Sequence, residues 1–183
     1  MPGIYSVRID DIPHDGFRLA TTWEPASLEE ILEDSRGAFS VEAPLQLELQ
    51  FHLPGSQIIL EGFLRTDLTI ACVRCLKDFI LPLEIGFRYI FWPTSREATV
   101  EEKELSSDEL EVQYYTPGEP VDLRPLVSEQ INLHMPQYPH CAESCRGLCP
   151  QCGANLNEAA CACADRFKAG DASPFSVLKK LKK

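Results

Sequence analysis

Cysteine is the residue type in this chain with the most chemistry to offer, and its distribution is uneven. Six of the eight cysteines stand in "CAESCRGLCPQCGANLNEAACAC", residues 141 to 163, and the other two, Cys72 and Cys75, in "CVRCLKD". Thiolates are strong zinc ligands, and a pair separated by two residues spans one edge of a tetrahedral site. Cys72/Cys75 and Cys149/Cys152 have that spacing, the latter between Gly147 and Gly153. Buried free cysteines do not cluster in this way beside glycine and proline, so all eight are candidate metal ligands. The preferred partition gives Cys72, Cys75, Cys141 and Cys145 one ion and Cys149, Cys152, Cys161 and Cys163 a second. A single ion drawn from Cys145, Cys149, Cys152 and Cys161 is the alternative. A position filled on all four corners by sulfur keeps no open place for water or substrate, which points to structure rather than hydrolysis.

Other catalytic signals are missing. There is no HExxH, no Ser-His-Asp arrangement and no glycine-rich phosphate loop, so neither catalytic residues nor a small-molecule substrate are expected. His14 and His52 read as solvent residues, and His140, beside Cys141, is not needed where thiols suffice. The sequence has 183 residues, 44% of them apolar, enough for a core that needs no disulfide scaffold. "MPGIYSVRIDDIP" lacks a basic region followed by an apolar run, and no stretch reaches the roughly 18 apolar residues of a membrane span. The expectation is a cytoplasmic protein with no membrane association, in which paired thiols bind metal rather than form disulfides. Because CxxC pairs also serve as low-pKa nucleophiles, a thiol-redox or redox-sensing protein is one alternative.

The formal net charge is -11, with a sequence pI near 4.8. Such a field repels a phosphate backbone except where basic residues gather, and suits a basic partner such as a ribosomal protein. They gather at the end of the chain: "RFKAGDASPFSVLKKLKK" holds Arg166, Lys168, Lys179, Lys180, Lys182 and Lys183 as candidate RNA contacts. A direct RNA-binding zinc-ribbon module is the second alternative. A bland reading carries equal weight, with Phe175, Leu178 and Leu181 docking a terminal helix whose lysines complement its dipole.

Strands must position the first cysteine pair. "PLQLELQFHLPG" alternates Leu45, Leu47, Leu49, Phe51 and Leu53 with polar residues and ends in a Pro54-Gly55 turn. "QIILEGFLRTDLTIAC" continues as one bent strand or two shorter ones. "FILPLEIGFRYIFW" alternates again, with Phe79, Leu81, Leu83, Ile85, Phe87, Tyr89 and Phe91 on one side. Cys72 and Cys75 fall on the knuckle between these last two segments. "IYSVRID" reads as an N-terminal strand. "SLEEILEDS" reads as a short helix with Ser27 as N-cap and Glu30 completing a capping box. "VDLRPLVSEQINLHMP" reads as a helix capped by Asp122, with Leu123, Leu126, Val127 and Ile131 as its apolar stripe and Pro136 as its stop. The predicted fold is α+β and β-rich: an antiparallel sheet or partial barrel, a few helices and a C-terminal Cys-rich zinc knuckle. Residues 1–135 form the expected core domain, with an acidic loop near 94–120. Residues 136–183 form the zinc-binding segment and a basic C-terminal helix.

Together, "CVRCLKDF" after a strand meander, "VDLRPLVSEQINLHMPQYPHC", "CRGLCPQCGANLN" and the terminal "SPFSVLKKLKK" resemble the YceD family, also called DUF177. The resemblance covers roughly residues 38 to 183. It implies a role in the accumulation or processing of large-subunit (23S) ribosomal RNA, and therefore in ribosome biogenesis. The implied partner is the pre-ribosomal large subunit, met through a ribosomal protein, rRNA or both.

Overall fold

The structure, a computed structural model, describes residues 5–32, 39–94 and 112–163. Most of the acidic segment (residues 95–111) and the candidate RNA contacts Arg166, Lys168, Lys179, Lys180, Lys182 and Lys183 lie outside the described residues.

Strict alternation becomes strand wherever the sequence shows it. β2 (Phe17–Trp23) pairs antiparallel with β4 (Leu45–His52), Phe17 facing Phe51 and Trp23 facing Leu45. In β4 the leucines and Phe51 are buried while Glu48 and His52 are exposed, the pattern of a sheet with one face on the core. β5 (Ile58–Ala71) is one continuous strand of 14 residues, with Ile58, Leu60, Leu64, Leu68 and Ile70 buried on one face. Gly62 lies on that face because a Cβ there would collide with the Phe87 ring, which occupies the space instead. β6 (Asp78–Pro93) buries Leu83, Ile85, Tyr89 and Phe91. With β3 (Phe39–Val41) on β5 and β7 (Val112–Tyr115) parallel to β6, these strands make a six-stranded sheet that stays open instead of closing into a barrel. β1 (Ser6–Arg8) joins β8 (Pro120–Asp122) in a separate two-stranded sheet.

Both helix starts differ from the sequence expectation. α1 (Pro25–Ile31) begins two residues before Ser27, because Pro25 fits the first helical turn, where no N–H partner is needed. Its N-cap is Glu24, which makes no side-chain cap, so the Ser27–Glu30 capping box does not form. α2 (Arg124–His134) has Leu123 at its N-cap, and Asp122 acts from one position earlier. The Asp122 carboxylate accepts the Arg124 backbone N–H at 2.9 Å and is paired with the Arg124 guanidinium, which holds its pKa below the ordinary value. The helix starts at Arg124, one residue too late for Asp122 to be its N-cap, and Asp122 is instead the last residue of β8. α2 buries Leu126, Val127 and Ile131 and ends before Met135, whose extended backbone suits a residue preceding proline.

The described residues fall into two compact units. The first lies within Met1–Ile70 and Ile80–Gln137 and holds both helices and the strands, apart from the last residue of β5 and the first two of β6. The second lies within Ala71–Phe79 and Tyr138–Lys183 and holds all eight cysteines.

Candidate metal centres

The second unit is built from two knuckles that repeat one backbone form. In the first, the Cys72 carbonyl accepts the Leu76 N–H at 2.9 Å, and the Cys72 N–H donates to the Lys77 carbonyl at 2.9 Å. In the second, the Cys149 carbonyl accepts the Gly153 N–H at 2.9 Å. The residue after the second cysteine is left-handed in both, with φ 59° at Leu76 and 71° at Gly153. Within each turn backbone N–H groups face the first sulfur, those of Cys75 and Arg74 at Cys72 and those of Cys152 and Gln151 at Cys149. Glycine reaches the left-handed conformation freely, whereas a side chain costs about 1–2 kcal/mol there.

The thiols converge as two groups of four. Cys72, Cys75, Cys141 and Cys145 have their sulfurs within 4.8 Å of one another, and so do Cys149, Cys152, Cys161 and Cys163. The alternative set of Cys145, Cys149, Cys152 and Cys161 is divided, since Cys145 belongs to the first group and the other three to the second. Neither group includes His140. Cys72 Sγ lies 3.8 Å from Cys145 Sγ, and Cys75 Sγ 3.7 Å from Cys141 Sγ. Four sulfurs at about 2.3 Å from one tetrahedral ion stand about 3.8 Å apart, so this spacing and this donor set fit a thiophilic divalent cation. A disulfide needs about 2.05 Å, and no cysteine is in one.

Electrostatics point the same way. The Cys72 thiol is drawn down to about 6 by backbone N–H groups, that of Cys141 above all, against the effect of burial. Cys149 is likewise drawn down to about 6, by the N–H groups of Cys152 and Gln151. Cys141 is pushed up to about 12, first by its hydrogen bond with Cys145, and Cys163 to about 12, first by its hydrogen bond with Cys152. Cys145 is also drawn down, first by its hydrogen bond from Asn157, whereas Cys75 and Cys161 are raised, so each group favours some thiolates and resists ionising others, because like charges within 4.8 Å repel. A cation is the group that lifts this restriction.

Residues between the ligands hold the arrangement, and spacing alone did not single them out. The Leu148 N–H donates to the Arg74 carbonyl at 2.9 Å, and Arg74 Nη1 donates to the Cys145 carbonyl at 3.0 Å. Gly147 (φ 74°) is required at this crossing, because a Cβ would lie 2.9 Å from the Arg74 carbonyl oxygen. A bridge between Leu148 and Asn155, with Cys149 N–H to the Ala154 carbonyl at 2.8 Å, closes a tight hairpin. Asn157 donates from Nδ2 to Cys145 Sγ at 3.3 Å, and Lys77 pairs with Glu158. The readable signal was "ANLN", two asparagines beside Gly153 in a loop where such side chains bond nearby backbone.

The family profile described as "Large ribosomal RNA subunit accumulation protein YceD" matches residues 60–182. Among curated sequences, uncharacterized proteins of Mycobacterium tuberculosis and Mycobacterium bovis are each 28% identical over 116 residues, covering 62% of this chain and 52% of theirs. An uncharacterized protein of Mycobacterium leprae is 26% identical over 115 residues, covering 62% of this chain and 50% of its own. The chain spans about half the length of these curated relatives. No solved structure matches.

Proposed function

The chain belongs to the YceD family, and on that premise we propose that it is a non-enzymatic zinc-binding factor of ribosome biogenesis, supporting the accumulation or processing of large-subunit ribosomal RNA. The observation that carries the chemical half of this reading is the pair of four-thiol groups. Zinc fits them better than magnesium or calcium, which take oxygen ligands. Cys72, Cys75, Cys141 and Cys145 would hold one ion, and Cys149, Cys152, Cys161 and Cys163 the other. A zinc ion held by four thiolates supplies fold stability and leaves no site for an activated water.

The biological half rests on the family's description. The partner is the pre-ribosomal large subunit, reached through a basic ribosomal protein, rRNA or both, and the protein works in the cytoplasm. The net charge of -11 supports a basic partner. Among the described residues no helix is long and apolar enough to cross a membrane. Sedimenting a lysate through a density gradient tests the reading. The chain should travel with precursors of the large subunit, and a chain found only at the top of the gradient contradicts the proposal.

A further inference from the structure

The loop between Cys152 and Cys161 belongs by its ends to the second thiol group, yet its side chains serve the first. Both polar atoms of the Asn157 side chain are engaged. Its Oδ1 accepts the Arg146 backbone N–H at 2.7 Å, which fixes the amide's orientation. Its Nδ2 then donates to Asn155 Oδ1 at 2.9 Å and to Cys145 Sγ at 3.3 Å. The next residue, Glu158, pairs with Lys77, two positions beyond Cys75. Cys145 itself is buried, 6% exposed, so this amide is a specific partner for its sulfur and not a substitute for water.

We infer that Asn157 couples the two thiol groups, so that an ion in the second strengthens the hold on an ion in the first. This rests on the zinc reading above. The physical chain is short. Bringing Cys161 and Cys163 to Cys149 and Cys152 closes the loop that carries Asn157. A closed loop presents the amide to Cys145 already ordered, whereas an open one must lose its freedom to do so. A hydrogen bond to a ligand sulfur stabilises the thiolate and orients it, and losing such an outer partner typically weakens metal binding about 10- to 100-fold. By linkage the effect is reciprocal: an ion in the first group favours the second.

Asn157→Asp is the sharpest probe, since it keeps the shape and the acceptor for Arg146 but replaces the donor to sulfur with a negative charge. The full chain is loaded with cobalt(II), whose thiolate charge-transfer band reports the sulfur environment, and zinc affinity is measured by competition with a chelator. Asn157→Asp should still take up two ions, with one held about 10- to 100-fold more weakly and the charge-transfer band moved to lower energy. Replacing Cys161 and Cys163 together by Ser should leave one ion, weakened to a similar degree. Adding Asn157→Asp to that variant should then weaken it little further, because the loop no longer delivers the amide. An unchanged band and affinity in Asn157→Asp, or losses that simply add, overturn the coupling while leaving the zinc reading in place. A wild-type chain that takes up no ion overturns the zinc reading, and the coupling with it.

Discussion

Gly147 and Gly153 have nearly the same backbone angle but different surroundings, which separates strain from crowding. A Cβ at Gly153 meets nothing within 4 Å, so Gly153→Ala carries only the left-handed penalty of about 1–2 kcal/mol. At Gly147 the same change also presses on the Arg74 carbonyl, adding about 1–3 kcal/mol of overpacking. Thermal unfolding of the zinc-loaded variants, followed by exchange of backbone amides in residues 138–163, should show Gly147→Ala as clearly the worse. Equal effects would mean that the crossing at Arg74 is not tight. In the first unit, Tyr89 donates to Glu129 at 2.7 Å and accepts from Gln130 at 2.7 Å. Burial, with Glu129 beside it, pushes its hydroxyl up to about 12 from 10.0. A folded-state pKa raised above the unfolded value means a contribution complete below pH 10 and lost as the pH climbs toward about 12. Stability of the first unit should therefore fall across that window, and Tyr89→Phe should flatten the fall. An identical alkaline profile in the variant would assign the loss to another group.

At the scale of elements, the two knuckles differ in what they close. Cys75 and Cys141 are separated by residues 76–140, a stretch that includes β6, β7, β8 and α2. An ion shared across that gap removes much of the freedom of a long unfolded loop, whereas the second group spans only Cys149 to Cys163. Cys72→Ser should lower metal content by about one ion and lower the melting temperature of the sheet. Cys152→Ser should also cost about one ion but leave the sheet's transition nearly in place. Equal destabilisation by both would contradict this division. β1, β4, β5, β6 and the knuckles were legible in the sequence because alternation and CxxC spacing are local patterns, whereas β2, β7 and β8 were not singled out, and β7 lies inside the segment expected as an acidic loop. The helix starts were not legible, since Pro25 opens α1 ahead of Ser27 and Leu123 stands at the N-cap of α2 in place of Asp122. Nor was the partnership of Asn157 with Cys145, which arises only when the hairpin of Leu148 and Asn155 folds the loop back.

For the whole molecule, the charge and the sulfur content have to be read together. On the proposed reading, a chain with a net charge of -11 would approach a ribosomal particle against the field of its RNA, unless basic protein or a local basic cluster offsets it. Lys179 and Lys180, outside the described residues, belong to such a cluster. If the cluster meets RNA, changing both to Glu should loosen association with the large-subunit fraction most at low salt, and the difference from the wild type should shrink as salt rises, because the variant has fewer phosphate contacts to screen. Unchanged association would leave the terminal segment to docking alone. The chemical account of this protein stands on its thiols being a structural metal set, and the most direct test is to count zinc in the purified full chain by native mass spectrometry and elemental analysis. The expected result is two zinc ions per chain, lost together with the fold of residues 138–163 when a strong chelator is added. One ion or none, or a second unit that keeps its fold without metal, would contradict it.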